Sequence, residues 1–344
     1  MKVILFCHLP YAFSIFKPLA DALEARGDTL LWYLKAPLIE SFPYTSMPHT
    51  NNLKEVEYFK SDAIFICGND VPYWLHGLKV QIFHGLAGEK KGHFRIRHYF
   101  DLYLTQGPYF TKKFQSLAKK HKNFEVIETG WCKLDPLYTI TQEIQKYKES
   151  LLKKHYAKKI ILYAPTFSPS LTSAPRLYET ILKLSQNSDN LILIKFHDKM
   201  HRDYRTPYET ILSSNILIIQ ENDITQSLQI ADIMISDTSS VVYEFTLLDK
   251  PVVTLNSISQ NINWYNTQEP HTLYQAVVQI LNGEDNFLNA RKKTIATYHP
   301  YSDGNSAKRM IQAVQTYIKT HDIPTQRKLP LLRKWKMKQK YAHS

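Results

Sequence analysis

Short runs rich in Ile, Leu and Val recur along this chain with helical patterns between them, and that alternation restricts the possible folds more than any other feature. "KVILFCH" opens as a buried strand, and "FSIFKPLADALEARGD" follows as an amphipathic helix with Ile15, Leu19 and Leu23 on one face and Gly27 at its end. "TLLWYL" is the next strand, and further strands are predicted at 62–67, 79–84, 101–106 and 124–129. After the polar helical stretch "TQEIQKYKESLLKKHY" the pattern restarts with "KIILYAP", "NLILIKFH", "NILIIQ", "DIMISD" and "PVVTL". Strands that are apolar along their length and separated by helices imply α/β lobes with parallel sheets covered on both faces. A chain of 344 residues is also too long for one ordinary core. The expected organisation is two Rossmann-like, doubly wound lobes, residues 1–150 and 151–320, then a basic tail, 321–344. Two such lobes would face a shared cleft.

No stretch approaches the roughly eighteen apolar residues of a membrane span. The start "MKVILFCHLP" runs into a strand rather than forming a signal peptide, which places the chain in the cytoplasm as an expectation. Cys7, Cys67 and Cys132 sit in apolar settings and read as reduced core thiols. Of the formal net charge of +12, a large part lies in "RKLPLLRKWKMKQKYAHS", where Leu329, Leu331, Leu332, Trp335 and Met337 interleave with Lys and Arg. That composition suits an anionic membrane surface, although a solvated tail or nucleic-acid binding would also account for it. Neither G-x-G-x-x-G, nor a P-loop, nor G-x-S-x-G occurs, which argues against a classical dinucleotide oxidoreductase, a P-loop ATPase and a serine hydrolase of the usual α/β type.

In open parallel sheets a ligand lies beyond the carboxyl ends of the strands. His8, Cys67-Gly68, His84-Gly85, Thr129-Gly130, Ala164-Pro165-Thr166, His197 and Asp237-Thr238-Ser239-Ser240 are predicted to stand there. In "MISDTSSVVYEF" a strand turns at Asp237 into a helix, and hydroxyls at a helix start suit a phosphate or diphosphate; ordinary capping is the plainer reading. His84 at a strand end can act as a general base if a carboxylate or carbonyl orients its other nitrogen, which the sequence does not identify. Gly85 and Gly88 allow close approach, and Lys90, Lys91, Arg95 and Arg97 just beyond could attract an anionic acceptor. Lys195 and His197 share one face of a strand end, and both can bind phosphate oxygens. His197, Asp198 and His201 imitate a zinc motif only superficially, because the motif needs a helix here and these residues follow a strand. No metal is expected.

Taken together, "FHG" at 83–85, "LTQGPYFTKKF" at 104–114, "TGWCKLDPL" at 129–137, "ILYAPTF" at 161–167, "IKFH" at 194–197, "ADIMISDTSSVVYEFTLLDKPVV" at 231–253 and "DGNSAKRMIQAV" at 303–314 resemble, in this order, the CDP-glycerol glycerophosphotransferase family of teichoic-acid-type polyol-phosphate polymerases and primases. The resemblance implies a GT-B fold with an acceptor lobe (contacts at His8, Gly85, Lys90, Lys91 and Arg95) and a CDP-donor lobe, and no cofactor. It implies His84 as the base and His197 as a second catalytic group. Thr166, Lys195, Asp237, Thr238, Ser239, Ser240 and Glu244 would hold the donor. Asp198 and Thr238 depart from the family's usual Pro and aromatic, which leaves the polyol open. The implied partners are a CDP-polyol, a lipid-linked or glycan acceptor and, through the tail, the inner face of the cell membrane; no nucleic acid is expected. The competing readings are a GT-B sugar-nucleotide enzyme, either a glycosyltransferase or a UDP-sugar 2-epimerase-like protein, and a basic binding protein without catalysis.

Overall fold

The first strand, β1 (Lys2–Cys7), is buried from Val3 to Cys7 on both faces and so must lie inside a sheet. In the computed structural model, which describes residues 1–86, 93–211, 213–221, 223–259, 262–324 and 329–341, it does. It is followed by α1 (Tyr11–Ala25), β2 (Thr29–Leu34), β3 (His49–Thr50), α2 (Leu53–Phe59), β4 (Ala63–Ile66), β5 (Leu78–Gln81), β6 (Leu102–Thr105), α3 (Pro108–His121) and β7 (Glu125–Glu128). These strands form one parallel sheet in the order β3-β2-β1-β4-β5-β6-β7. Helix α1 buries the expected stripe of Ile15, Leu19 and Leu23, and Gly27 after it takes φ +77°, a left-handed turn that any side chain would strain.

The chain continues through α4 (Asp135–Tyr138), α5 (Gln142–Lys154), β8 (Lys159–Tyr163), α6 (Ala174–Ser185), β9 (Asn190–Ile194), α7 (Arg202–Glu209), β10 (Ile216–Ile218), α8 (Thr225–Ile230), β11 (Ile233–Ser236), α9 (Val241–Leu247), β12 (Val252–Leu255), β13 (Tyr265–Thr267), α10 (Pro270–Leu281) and α11 (Leu288–Tyr298). Here a second parallel sheet runs β10-β9-β8-β11-β12-β13. One of its faces is packed by Leu177, Ile181 and Leu184 of α6 and Leu273, Ala276 and Val277 of α10. The last helices are α12 (Ser306–Thr320) and α13 (Leu331–Lys340). Among the described residues no helix is long and apolar enough to cross a membrane.

Two parallel-sheet α/β lobes are the fold class read from the sequence, but the observed boundaries differ from the expected ones. The units are Met1–Asp135 with Thr297–Ser344, and Pro136–Ala296. Helix α5, expected to close the first lobe, belongs to the second, where Lys148 Nζ pairs with Asp232 at 2.6 Å. Helix α12, expected in the second lobe, belongs to the first: the Asp135 carboxylate accepts from the Ser306 and Ala307 N–H groups at 2.9 and 2.7 Å. A carboxylate there satisfies orphan donors at the positive end of the helix. The tail expected to stand alone is likewise part of the first unit, with Leu329, Met337 and Tyr341 buried.

Candidate functional site

In the first unit the adjacent parallel strands β1, β4 and β5 deliver His8, Cys67 to Asp70 and His84 to one edge of the sheet, the edge where open α/β sheets hold ligands. His84 is exposed, and its Nδ1 donates to the Cys67 carbonyl at 2.9 Å. A carbonyl can only accept, so the proton of the neutral ring sits on Nδ1 and Nε2 keeps a free lone pair. This is the orienting partner a general base requires. Just before it, Phe83 holds φ +62°, a strained setting for an aromatic, and its ring is fixed against Phe114 at 4.9 Å. Tyr11 packs on the His84 ring at 5.3 Å. Gly85 is half-buried; a side chain there would meet open space, and its carbonyl accepts from Gln106 Nε2 at 3.0 Å.

His8 is engaged differently. Its Nε2 meets the hydroxyl of Tyr341 and lies 3.4 Å from Asp70 Oδ1. Asp70 also pairs with Lys340 and accepts from the Tyr341 hydroxyl at 3.3 Å. Gly68 is required here, because a Cβ at that position would stand 2.8 Å from His8 Nδ1. Burial lowers the His8 pKa to about 4; Asp70 opposes that shift, while Lys340 and Lys35 add to it.

In the second unit, the neighbouring strands β9, β8 and β11 bring Lys195 and His197, Thr166 and the Asp237 turn to the corresponding edge. Asp237 is buried, and both its oxygens are used internally. Oδ1 accepts from Thr166 N at 2.9 Å, and Oδ2 accepts from the N–H and hydroxyl of Ser173, each at 2.8 Å. Expected to touch the donor, Asp237 instead ties the loop after β8 to the turn after β11. Burial raises its pKa despite these hydrogen bonds.

The turn it anchors presents free hydroxyls. Ser240, at the N-cap of α9, makes no side-chain capping bond, so the plain capping reading does not hold for it. Among the described residues the hydroxyls of Thr166, Ser239 and Ser240 have no hydrogen-bond partner. Thr238 Oγ1 accepts from Ile258 N at 3.2 Å and keeps its own hydrogen to donate. Glu244 is half-buried in the first turn of α9.

His197 Nδ1 accepts from the Lys199 N–H at 3.1 Å, so in the neutral ring Nε2 carries the proton. Burial first, then Lys199 and Lys195, hold its pKa below the usual value against the pull of Asp198. Its ring rests 4.5 Å from Phe167. Lys195 is buried, donates to the Phe196 carbonyl at 3.0 Å and lies 4.0 Å from Asp198.

Of the predicted residues, His8, His84 and Gly85 thus gather on the first unit's sheet edge, with exposed Arg95 farther along the same chain segment. The donor-side residues gather on the second unit's edge. Lys90 and Lys91 lie outside the described residues. Sequence reasoning missed Asp70, Ser173 and Tyr341. Asp70 had a weak signal in its place after β4, whereas Tyr341 lies 271 positions from Asp70 and had none.

Residues 84–268 match the family described as CDP-glycerol:poly(glycerophosphate) glycerophosphotransferase. The chain is 24% identical over 276 residues to the teichoic acid poly(glycerol phosphate) polymerase of Bacillus spizizenii, covering 70% of this chain and 68% of that one. It is 26% identical over 256 residues to the teichoic acid ribitol-phosphate polymerase TarL of Staphylococcus aureus, covering 66% of this chain and 44% of the relative. With the teichoic acid glycerol-phosphate primase of Bacillus subtilis it shares 26% over 230 residues, or 63% and 58% of the two chains. It therefore spans between 44% and 68% of these relatives' lengths. Among solved structures, the wall teichoic acid polymerase TagF superposes with a TM-score of 0.63 at 16% identity, over 92% of this chain and 89% of that one. A putative UDP-N-acetylglucosamine 2-epimerase from Listeria monocytogenes superposes at 0.68 and 15%, over 94% and 98%. At such identities the superpositions speak for the fold alone.

Proposed function

The chain belongs to the CDP-glycerol:poly(glycerophosphate) glycerophosphotransferase family, and from that premise we propose that it moves a glycerol-phosphate or related polyol-phosphate from a CDP-linked donor to a hydroxyl of a lipid-linked or glycan acceptor, releasing CMP. His84 Nε2 takes the proton of the acceptor hydroxyl. The acceptor oxygen then bonds to the β-phosphorus of the donor as the bond from that phosphorus to the bridging oxygen breaks, and CMP leaves with the electron pair. His197 Nε2–H and the hydroxyls of Thr166, Thr238, Ser239 and Ser240 donate to the diphosphate oxygens, while Asp237 holds their loops in place. Such a transfer asks the protein mainly to position reactants and neutralise charge.

The observation that carries this reading is the pair of opposite tautomers. A carbonyl frees Nε2 of His84 as an acceptor, and a backbone N–H makes Nε2 of His197 a donor. The test is release of CMP or UDP from a panel of CDP-polyols and UDP-sugars, with a lipid-linked acceptor extract. Turnover of UDP-sugars alone would replace this reading with a sugar-nucleotide enzyme.

We further propose that the protein works as a peripheral protein on the inner, anionic face of the membrane. Supporting this, α13 exposes Leu331 (83%), Leu332 (64%) and Trp335 (55%) beside Lys334, Lys336 and Lys338. Co-sedimentation with anionic and zwitterionic vesicles tests it; equal partition to both would remove it.

A further inference from the structure

Helix α13 brings a third arginine to a place where two already lie. Arg333 Nη1 donates to the Arg97 carbonyl at 2.7 Å, and Arg97 Nη1 donates to the Arg95 carbonyl at 3.2 Å. The Arg333 guanidinium stands 5.9 Å from the Tyr99 ring centroid. Arg97 and Arg333 are half-buried, and each spends one N–H on a carbonyl, which leaves most of its fork of donors free. Among the described residues none of the three arginines pairs with a carboxylate, and neighbouring Asp70 is already engaged by His8, Lys340 and Tyr341. The gathered charge is felt locally. Arg97 sits below the ordinary arginine range, through burial first and then Arg95, with Arg333 adding to it and Tyr103 and Asp70 opposing.

Holding like charges together half-desolvated is unfavourable unless an anion joins them. Planar guanidinium forks fixed by backbone carbonyls match phosphate oxygens in shape and charge. Simple anchoring of α13 does not call for this arrangement, because Met337 and Tyr341 already bury against the first unit.

We propose that Arg97 and Arg333, with Arg95 at the rim, form a binding site for a phosphate ester that exists only when the tail helix is seated. The ester belongs either to the acceptor or to a membrane lipid. The proposal deepens the transferase reading and rests on it for the ligand's origin, not for the site's existence.

The full chain is titrated calorimetrically with glycerol 3-phosphate, in wild type and in Arg97→Gln, Arg333→Gln, Lys336→Gln and His197→Gln; the last gauges how much of the binding comes from the second unit. Circular dichroism checks that each variant is folded. Arg97→Gln and Arg333→Gln should each weaken binding about tenfold to a hundredfold. Lys336→Gln, an equal loss of charge on the same helix, should change it less than about twofold, and Arg333→Lys should recover part of the loss. Equal effects of Arg333→Gln and Lys336→Gln, or no effect of either arginine, overturn the site in favour of diffuse attraction.

Two further arms find the source. If Arg333→Gln lowers partition to phosphatidylglycerol vesicles well beyond Lys336→Gln, the ester is a lipid's. If it instead raises the acceptor concentration needed for half-maximal CMP release, the ester is the acceptor's. A change in neither overturns the assignment. Should no CMP be released from any donor, the transferase reading falls while the calorimetric arm still decides the site.

Discussion

His84 and His197 both follow the end of a parallel strand, yet the backbone gives them opposite chemistry. His84 donates its Nδ1–H to a carbonyl and leaves Nε2 as an acceptor, while His197 accepts an N–H on Nδ1 and leaves Nε2–H as a donor. His84→Ala should therefore lower CMP release by about 100- to 10,000-fold while the urea unfolding midpoint stays unchanged; near-normal turnover would end its role as base. Cys67→Ala retains the carbonyl and should leave turnover within about threefold, because the thiol, pushed up to about 12 by burial, stays protonated. Asp237→Ala behaves differently. It strands the Thr166 and Ser173 N–H groups, which should cost about 2–4 kcal/mol in urea unfolding, besides weakening donor binding in calorimetry. The residue types at these positions were legible from strand-end placement. Their tautomers were not, since the group orienting His84 is a main-chain carbonyl 17 residues away, and main-chain groups are the same in every sequence.

Elements were readable where apolar pattern dictates them and obscure where a contact across the chain does. Most strands with continuous apolar runs lie within a residue or two of their expected positions, with β5 and β9 ending three residues early, while β3 ("HT") and β13 ("YNT") are polar and too short to carry a period. Pro330 stands just before the first turn of α13, where a missing N–H costs nothing. The composition of the tail did not show how its apolar residues divide around the helix. Its helix has two apolar faces: Met337 and, just past the helix end, Tyr341 are buried against the first unit, while Leu331, Leu332 and Trp335 are exposed. The faces predict separable effects. Trp335→Ser should cut binding to anionic vesicles severalfold with no change in urea stability. Tyr341→Ala removes a buried ring and its hydrogen bonds to His8 and Asp70, and should destabilise the first unit by about 3–5 kcal/mol. If both variants lost vesicle binding and stability together, the two faces would not be independent.

At the scale of the molecule the two units share an architecture but should respond differently to acid. In the first unit burial holds His8 and His299 at about 4, below the value of 6.5 for an unperturbed histidine. His299 accepts from the Trp131 N–H at 3.0 Å through Nε2, a contact protonation would break. Between pH 6.5 and about 4 the unfolded chain takes up protons that the folded unit refuses, so stability is complete above the window and falls as pH drops through it. From pH 7 to pH 5 the two imidazoles together remove about 4 kcal/mol as an upper limit. The second unit has no fully buried histidine among its described residues, and its lowered one, His197, is exposed. Neither difference could be read from a sequence that scatters histidines through both halves, because depth depends on which helices return to which sheet, and α12 comes back to the first unit from the far end of the chain. Urea unfolding at pH 7 and pH 5, followed by pulsed hydrogen exchange at one labelling pH, should show β1 and β4 losing protection at lower urea when acidified, while β8 and β11 shift much less. His299→Gln keeps an acceptor for Trp131 and has nothing to titrate, so it should abolish about half of the first unit's shift. An equal acid shift in both units, untouched by that substitution, would place the acid sensitivity in the carboxylates instead of the buried imidazoles.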